Sequence, residues 1–151
     1  VDWRGHLGFN LFVMSALFYM MGLSGVEANR ILIMSSVLSS LPDIDLRLEL
    51  PHRKITHNIF FGIIVSLAAG YLASYLGFSF RVVAFSFIIA FTTHLLCDLL
   101  TKMPFRPLYP LIKKPVALRF FRSSSNLVNT FFLILGIIAY YVYVTKYGFL
   151  I

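Results

Sequence analysis

Four long apolar runs divide the chain: Leu7–Leu23, Asn58–Gly77, Val82–Thr101 and Leu127–Thr145. A membrane-crossing helix needs about 20 mostly apolar residues, with a range of roughly 17 to 25, and each run satisfies that length. A fifth run, Ile31–Leu41, is apolar but short. At about 1.5 Å per residue it spans a core of about 30 Å only if the helix reaches back to Glu27. Ser35, Ser36, Ser39 and Ser40 are then expected to face protein rather than lipid. The one long connection, Lys102–Ser125, holds Pro104, Pro107, Pro110 and Pro115 with six basic residues. It predicts an irregular interfacial loop, with a short amphipathic stretch around Val116–Phe121. The pattern as a whole predicts one all-α domain over residues 1–151, a polytopic bundle of four to five transmembrane helices.

The polar positions sharpen this picture. With five crossings, the N-terminus, the Pro42–His57 loop and the Lys102–Ser125 loop share one face. That face receives ten of the thirteen basic residues, and only Arg30, Arg81 and Lys146 fall on the other. The bias of basic residues toward the cytoplasm puts the first face there. Composition agrees with lipid contact: 59% of residues are hydrophobic and 17% aromatic, well beyond a soluble domain. A net charge of +7 carried in short loops points to anionic lipid and orientation, and no nucleic acid partner is expected. Cys97 is the single cysteine, so no intrachain disulfide is possible. No small-residue cleavage site follows the first run, so no cleavable signal is expected.

The same face gathers the scarce ionisable groups. His6 opens the first run, and Asp43, Asp45, His52 and His57 lie between the second and third helices. His94 and Asp98 approach that face from the end of Val82–Thr101. An i, i+4 pair such as His94 and Asp98 lies on one helix side about one turn apart, close enough to hold one ion. An ionisable group inside a bilayer costs at least about 2.5–3.5 kcal/mol on insertion scales, so such a pair calls for a partner. Asp43 and Asp45, two apart after Pro42, suit one carboxylate as ligand and the other as bridge or orienter. Thr56 or His57 is expected to start the next helix, with Thr as a good cap. Imidazole and carboxylate without thiolate favour Zn²⁺, with Mn²⁺ and Fe²⁺ as alternatives, over copper. The number of candidates exceeds one tetrahedral shell, so two ions sharing a carboxylate are an economical arrangement. No HExxH pattern occurs, which argues against a zincin protease.

The order Gly5-His6, Leu41-Pro42-Asp43-Ile44-Asp45, His52-Arg53-x-x-Thr56-His57 and His94-x-x-x-Asp98 resembles the YdjM-like family of membrane-bound, metal-dependent hydrolases. That family is itself similar to zinc-dependent phospholipases C and single-strand nucleases. The resemblance implies that Asp43, His57, His94 and Asp98 hold one metal, with His6 and Asp98 shared with another. The soluble proteins carry further histidines and an acid after the His-x-x-x-Asp motif. This chain has no His, Asp or Glu after Asp98, so the resemblance implies one or two ions rather than three.

The expectation is an integral-membrane hydrolase cleaving phosphate esters of lipids, as a phosphatase or phospholipase C does, with metal-activated water and a site at the cytoplasmic interface. His6, Asp43, His57, His94 and Asp98 are the expected ligands, and Asp43 and Asp45 the catalytic carboxylates. His52, Arg53, Lys54, Arg119, Arg122 and Asn129 are the expected substrate contacts, since Arg matches phosphate bidentately. The alternative is a divalent-metal transporter or a non-catalytic metal-binding membrane protein. A transporter needs polar positions continuing to the far face, where Asn58–Gly77 and Leu127–Thr145 offer only Ser66, Ser74 and tyrosines.

Overall fold

The computed structural model describes residues 1–43 and 56–149. Five α-helices run in order: α1 (Trp3–Met21), α2 (Val26–Leu38), α3 (Ile59–Tyr75), α4 (Phe80–Leu99) and α5 (Asn126–Tyr147). One 3-10 turn, Leu41–Asp43, follows α2. Among the described residues there is no strand, only isolated bridges at Thr101–Phe121 and Phe105–Val116. The all-α expectation therefore holds for these residues. On length and composition, α4 and α5 are able to cross a membrane, while α3 is apolar but shorter. The 13 residues of α2 and the Arg4, His6 and Asn10 side chains of α1 keep those two helices below that standard.

Local chemistry sets the ends. Asp2 accepts a hydrogen bond from the Gly5 N–H at the start of α1, and Gly22 closes it in the left-handed region at φ 68°. The start of α3 departs from expectation: Asn58, not Thr56 or His57, is the cap, accepting from Phe61 N–H at 2.8 Å. Thr56 is thereby left to bond the His57 ring. Helix α2 stops at Leu38 rather than Leu41, and Ser35, Ser36 and Ser39 are buried as expected, with Ser40 half-buried.

Helices α1 and α5 lie parallel and very close. A Cβ on Gly136 would sit 2.4 Å from the Gly8 carbonyl oxygen, and one on Gly8 would meet the Leu133 backbone at 2.4 Å. Only glycine at both positions allows that approach, the usual device where helices lack a hydrophobic drive to associate. Leu11, Met14, Phe18, Leu32 and Tyr143 form the buried apolar cluster beside this contact. Helix α3 packs antiparallel on α4, with Gly62 opposite Phe91 and Gly70 opposite Ala84. The start of α1, the end of α2, the start of α3, the end of α4 and the start of α5 therefore meet at one end of the bundle.

The Lys102–Ser125 connection contains no amphipathic helix. Val116–Phe121 instead runs extended over the end of α4. The N–H groups of Leu118, Arg119 and Phe120 donate to the carbonyls of Leu99, Thr101 and Leu100 at 2.7, 3.1 and 3.0 Å. A helix end leaves its last carbonyls without helical partners, and a loop held this tightly supplies them. The expected amphipathic stretch gave way to that capping role, with Arg119 taking φ 63° to make the turn.

Candidate metal centre

Each helix end delivers one part of a buried cluster. His6 comes from the first turn of α1, Asp43 from the turn after α2, His57 from the entry to α3, and His94 and Asp98 from the last turns of α4. His6, His57, His94 and Asp98 are at most 1% exposed, while the Asp43 side chain is 21% exposed and so marks the open side.

The orientation of His94 follows from its partner. Its Nδ1 stands 2.8 Å from the Ser39 carbonyl oxygen, which can only accept, so Nδ1–H is the donor. In the neutral ring the Nε2 lone pair is then free to bind a cation, the arrangement typical of a metal-ligating histidine. That Nε2 lies 3.1 Å from His57 Nε2, and His57 Nδ1 is 2.9 Å from Thr56 Oγ1. The two imidazoles thus aim the same atom at a shared point.

Two carboxylates complete the group. His57 Nε2 is 3.2 Å from Asp43 Oδ1 and 3.5 Å from Asp98 Oδ2, and His94 Nε2 is 3.6 and 3.9 Å from the same atoms. A tetrahedron with arms of about 2.0–2.2 Å has edges of about 3.3–3.6 Å. The 3.1, 3.2 and 3.6 Å separations among His57 Nε2, His94 Nε2 and Asp43 Oδ1 lie near that range, so these three could hold a zinc-sized cation, with Asp98 Oδ2 close by. His6 Nε2 faces the opposite oxygens, 3.6 Å from Asp43 Oδ2 and 3.7 Å from Asp98 Oδ1. Each carboxylate therefore turns one oxygen to His57 and His94 and the other to His6. Carboxylates so placed could each hold a cation on either side, were two bound. Two three-residue groups meet metal-ligand spacing, His6/His94/Asp98 and Asp43/His57/His94. His94 is shared by the two groups; the nitrogen not bonded to Ser39 points to His57, while its ring stacks on His6 at 3.9 Å. Burial alone would raise the Asp43 carboxyl. The His57 hydrogen bond, the electrostatic pull of the His94 and His57 rings and the amino terminus outweigh that and hold it below the usual carboxylate value.

A polar brace sits one turn beneath the cluster. Asn10 is fully buried on α1; its Nδ2 donates to Thr93 Oγ1 at 2.7 Å, and its Oδ1 accepts from Ser35 and Ser36 at 3.1 and 2.9 Å. It ties α1 to α2 and α4 next to His6, Ser39 and His94. Sequence reasoning missed Asn10; an amide one turn from His6 in an apolar run was the available signal.

The structure brings together all five expected ligands. Three of the four imidazoles converge, and His52 lies outside the described residues together with Asp45, Arg53 and Lys54. Arg119 and Arg122 are exposed and make no ion pair among the described residues. Asn129 is 1% exposed; it accepts from Asp2 N–H at 3.4 Å and donates to the Ser123 carbonyl at 3.3 Å, fastening the starts of α1 and α5.

Residues 1–151 match the family model of the YdjM inner membrane protein. The chain belongs to that family. No curated protein and no solved structure matches it. Membership in an inner membrane family agrees with the two membrane-length helices α4 and α5. In this YdjM family member α4 carries His94 and Asp98 to the cluster, and α5 meets the start of α1 beside His6 through Asn129.

Proposed function

We propose that the protein is a membrane-embedded, metal-dependent hydrolase that cleaves phosphate esters of lipids at the cytoplasmic interface. The observation that carries this reading is the split of Asp43 and Asp98, each with one oxygen toward His57/His94 and the other toward His6. Such a set suits one or two Zn²⁺ ions, with Mn²⁺ or Fe²⁺ as substitutes. A divalent cation held there supplies Lewis-acid stabilisation of phosphoryl oxygens and activation of water. The chain's own groups do the rest. Ser39 fixes the His94 tautomer, Thr56 orients His57, and half-open Asp43 marks where an ester approaches. Asp45 serves as general base, with His52, Arg53 and Lys54 at the phosphate. Exposed Arg119 and Arg122 contact headgroups. The Asp43–His57 spacing and His94-x-x-x-Asp98 support kinship with zinc-dependent phospholipases C. Four to five of the helices sit within the bilayer in this reading, with Leu17 and Met20 of α1 and Val37 of α2 facing lipid.

The test uses the full chain in lipid vesicles. Metal content is measured by mass spectrometry, and phosphate release from phosphatidic acid and intact phospholipids is followed with and without chelator. Turnover that disappears with chelator, and in Asp98→Ala together with the metal, supports the proposal. Turnover that survives complete metal removal overturns it. Bound metal without turnover of either lipid class also overturns it and leaves a non-catalytic metal-binding protein.

A further inference from the structure

We propose that the cleft between α3 and α4 is a channel for one acyl chain of an anionic phospholipid whose headgroup lies over Asp43 and His57. The headgroup's position rests on the hydrolase reading; the channel does not.

Two contiguous cavities, about 290 and 190 Å³, share Ile59, Thr92 and Leu95 as common walls. The larger exposes no polar surface and is roofed by Phe105, Pro107 and Val116 from the loop after α4. That roof is fastened in place. Ile59 N–H donates to the Pro107 carbonyl at 2.9 Å, and Phe105 and Val116 exchange backbone hydrogen bonds of 3.2 and 2.9 Å. Phe105 also meets the His57 ring edge-on at 6.5 Å between centroids, and His57 touches Asp43. The upper end of the cleft is therefore one aromatic ring from the metal ligands.

Charge selects the occupant. The roofing loop carries six basic residues and no acid, all six exposed, while its Leu111 and Phe120 are 76% and 71% exposed. Cations beside exposed apolar side chains mark a segment lying among anionic headgroups. A chain entering beneath this roof comes from that leaflet and keeps its phosphate beside the bases. A comparable groove of about 310 Å³ between α1 and α5, lined by Phe12, Tyr19 and Val142 among others, meets one cation, Lys146 at 4.1 Å over the Tyr19 ring, in place of a loop with six, and serves as an internal control.

Phosphatidic acid with a photoactivatable group in its acyl chain, incorporated into vesicles with the metal-loaded protein, tests the channel. Label is expected on α3 and α4 around Thr92. Thr92 is exposed on the cleft wall, so Thr92→Trp fills the space without touching the core, and Leu96→Trp narrows it from the next turn. Both are expected to lower the cleft label about tenfold, the scale of a misfitted apolar pocket, with Thr92→Ala unchanged. Phosphate release from long-chain phosphatidic acid is expected to fall in parallel. Metal content and turnover of a water-soluble aryl phosphate stay at the native level. Label spread equally over the α1–α5 groove, or cleft label indifferent to Thr92→Trp, overturns the channel. Cleft label that responds to Thr92→Trp in a protein hydrolysing neither ester supports the channel and refutes the hydrolase reading alone.

Discussion

Replacing Asn10 by leucine removes three hydrogen bonds from the brace without opening a cavity, because the two side chains are close in size. The bonds lost are those to Thr93, Ser35 and Ser36 at 2.7, 3.1 and 2.9 Å. Interhelical hydrogen bonds in membranes average about 0.6 kcal/mol, against about 0.5–1.5 kcal/mol in soluble proteins. The lower figure applies here. Ser35 and Ser36 can turn their single hydroxyl protons to the Leu32 carbonyl at 3.1 and 2.8 Å, and Thr93 keeps the Ile89 carbonyl at 2.8 Å, so no hydroxyl is stranded. Three such bonds contribute about 2 kcal/mol. A direct hydrogen-bond partner of a metal ligand is worth about 10- to 100-fold in affinity. Asn10 acts less directly, through Thr93, which precedes His94 in the chain, and through Ser36, whose carbonyl holds Ser39 at 2.7 Å while Ser39 accepts from His94. No more than about tenfold is therefore expected, or about 1.4 kcal/mol. Unfolding in mixed micelles followed by circular dichroism reads the first quantity, and zinc titration against a competing chelator reads the second. Asn10→Gln, which reaches the same hydroxyls, should restore part of both. Lost stability with unchanged zinc affinity would refute the claim that the brace positions His6 and His94.

Thr56→Val deletes the 2.9 Å contact to His57 Nδ1; zinc affinity is expected to fall about 10- to 100-fold with the helical circular dichroism unchanged. Gly136→Ala places a Cβ 2.4 Å from the Gly8 carbonyl oxygen; forcing two backbones apart should lower stability by about 3 kcal/mol, read from the micelle unfolding curve. Asp45→Asn should keep the metal content of the native protein while kcat on phosphatidic acid drops by about 100-fold, as for loss of a general base.

The helices were legible because their apolar runs are long and their polar interruptions few. So was the convergence of the ligands, since counting crossings puts His6, Asp43, His57, His94 and Asp98 at one end whatever the helix packing. Boundaries were less legible. Asn58 displaced Thr56 as the cap of α3 because the Thr56 hydroxyl is engaged with the His57 ring, a three-dimensional contact with no trace in local propensity. Val116–Phe121 sets one arginine among apolar residues, yet the N–H groups of Leu118, Arg119 and Phe120 are taken by the carbonyls of Leu99, Thr101 and Leu100 at the end of α4. A loop 17 or more residues downstream capping a helix is not visible to any local window. Asn10 was overlooked for a related reason. A lone amide in an apolar run acquires meaning only when Thr93, Ser35 and Ser36 are brought against it.

The transporter reading meets its strongest objection one turn below the brace. Asn10, Thr93, Ser35 and Ser36 satisfy one another, and toward the far face Leu11, Met14, Phe18, Leu32 and Tyr143 close the bundle, each at most 9% exposed. Ser66 and Ser86 give their hydroxyls to their own helices, at the Gly62 and Val82 carbonyls, so neither faces a path. Ser15 Oγ and Asn29 Oδ1 are buried without a partner among the described residues. Along α1 and α2, however, Leu11 and Met14, and Leu32, separate them from the brace. The Tyr140 hydroxyl, beside Tyr143, is likewise buried without a partner among the described residues. The barrier is the step between these oxygens and the brace, where a hydrated cation must shed water against Leu11, Met14 and Leu32, which is costly in an apolar interior. Vesicles loaded with a zinc-sensitive dye should therefore report no flux above protein-free vesicles, while the same protein binds zinc at its exposed face. Flux that rises with native protein and vanishes in Asp98→Ala would mean that the apolar cluster opens, and that the five ligands are a waypoint rather than a reaction site.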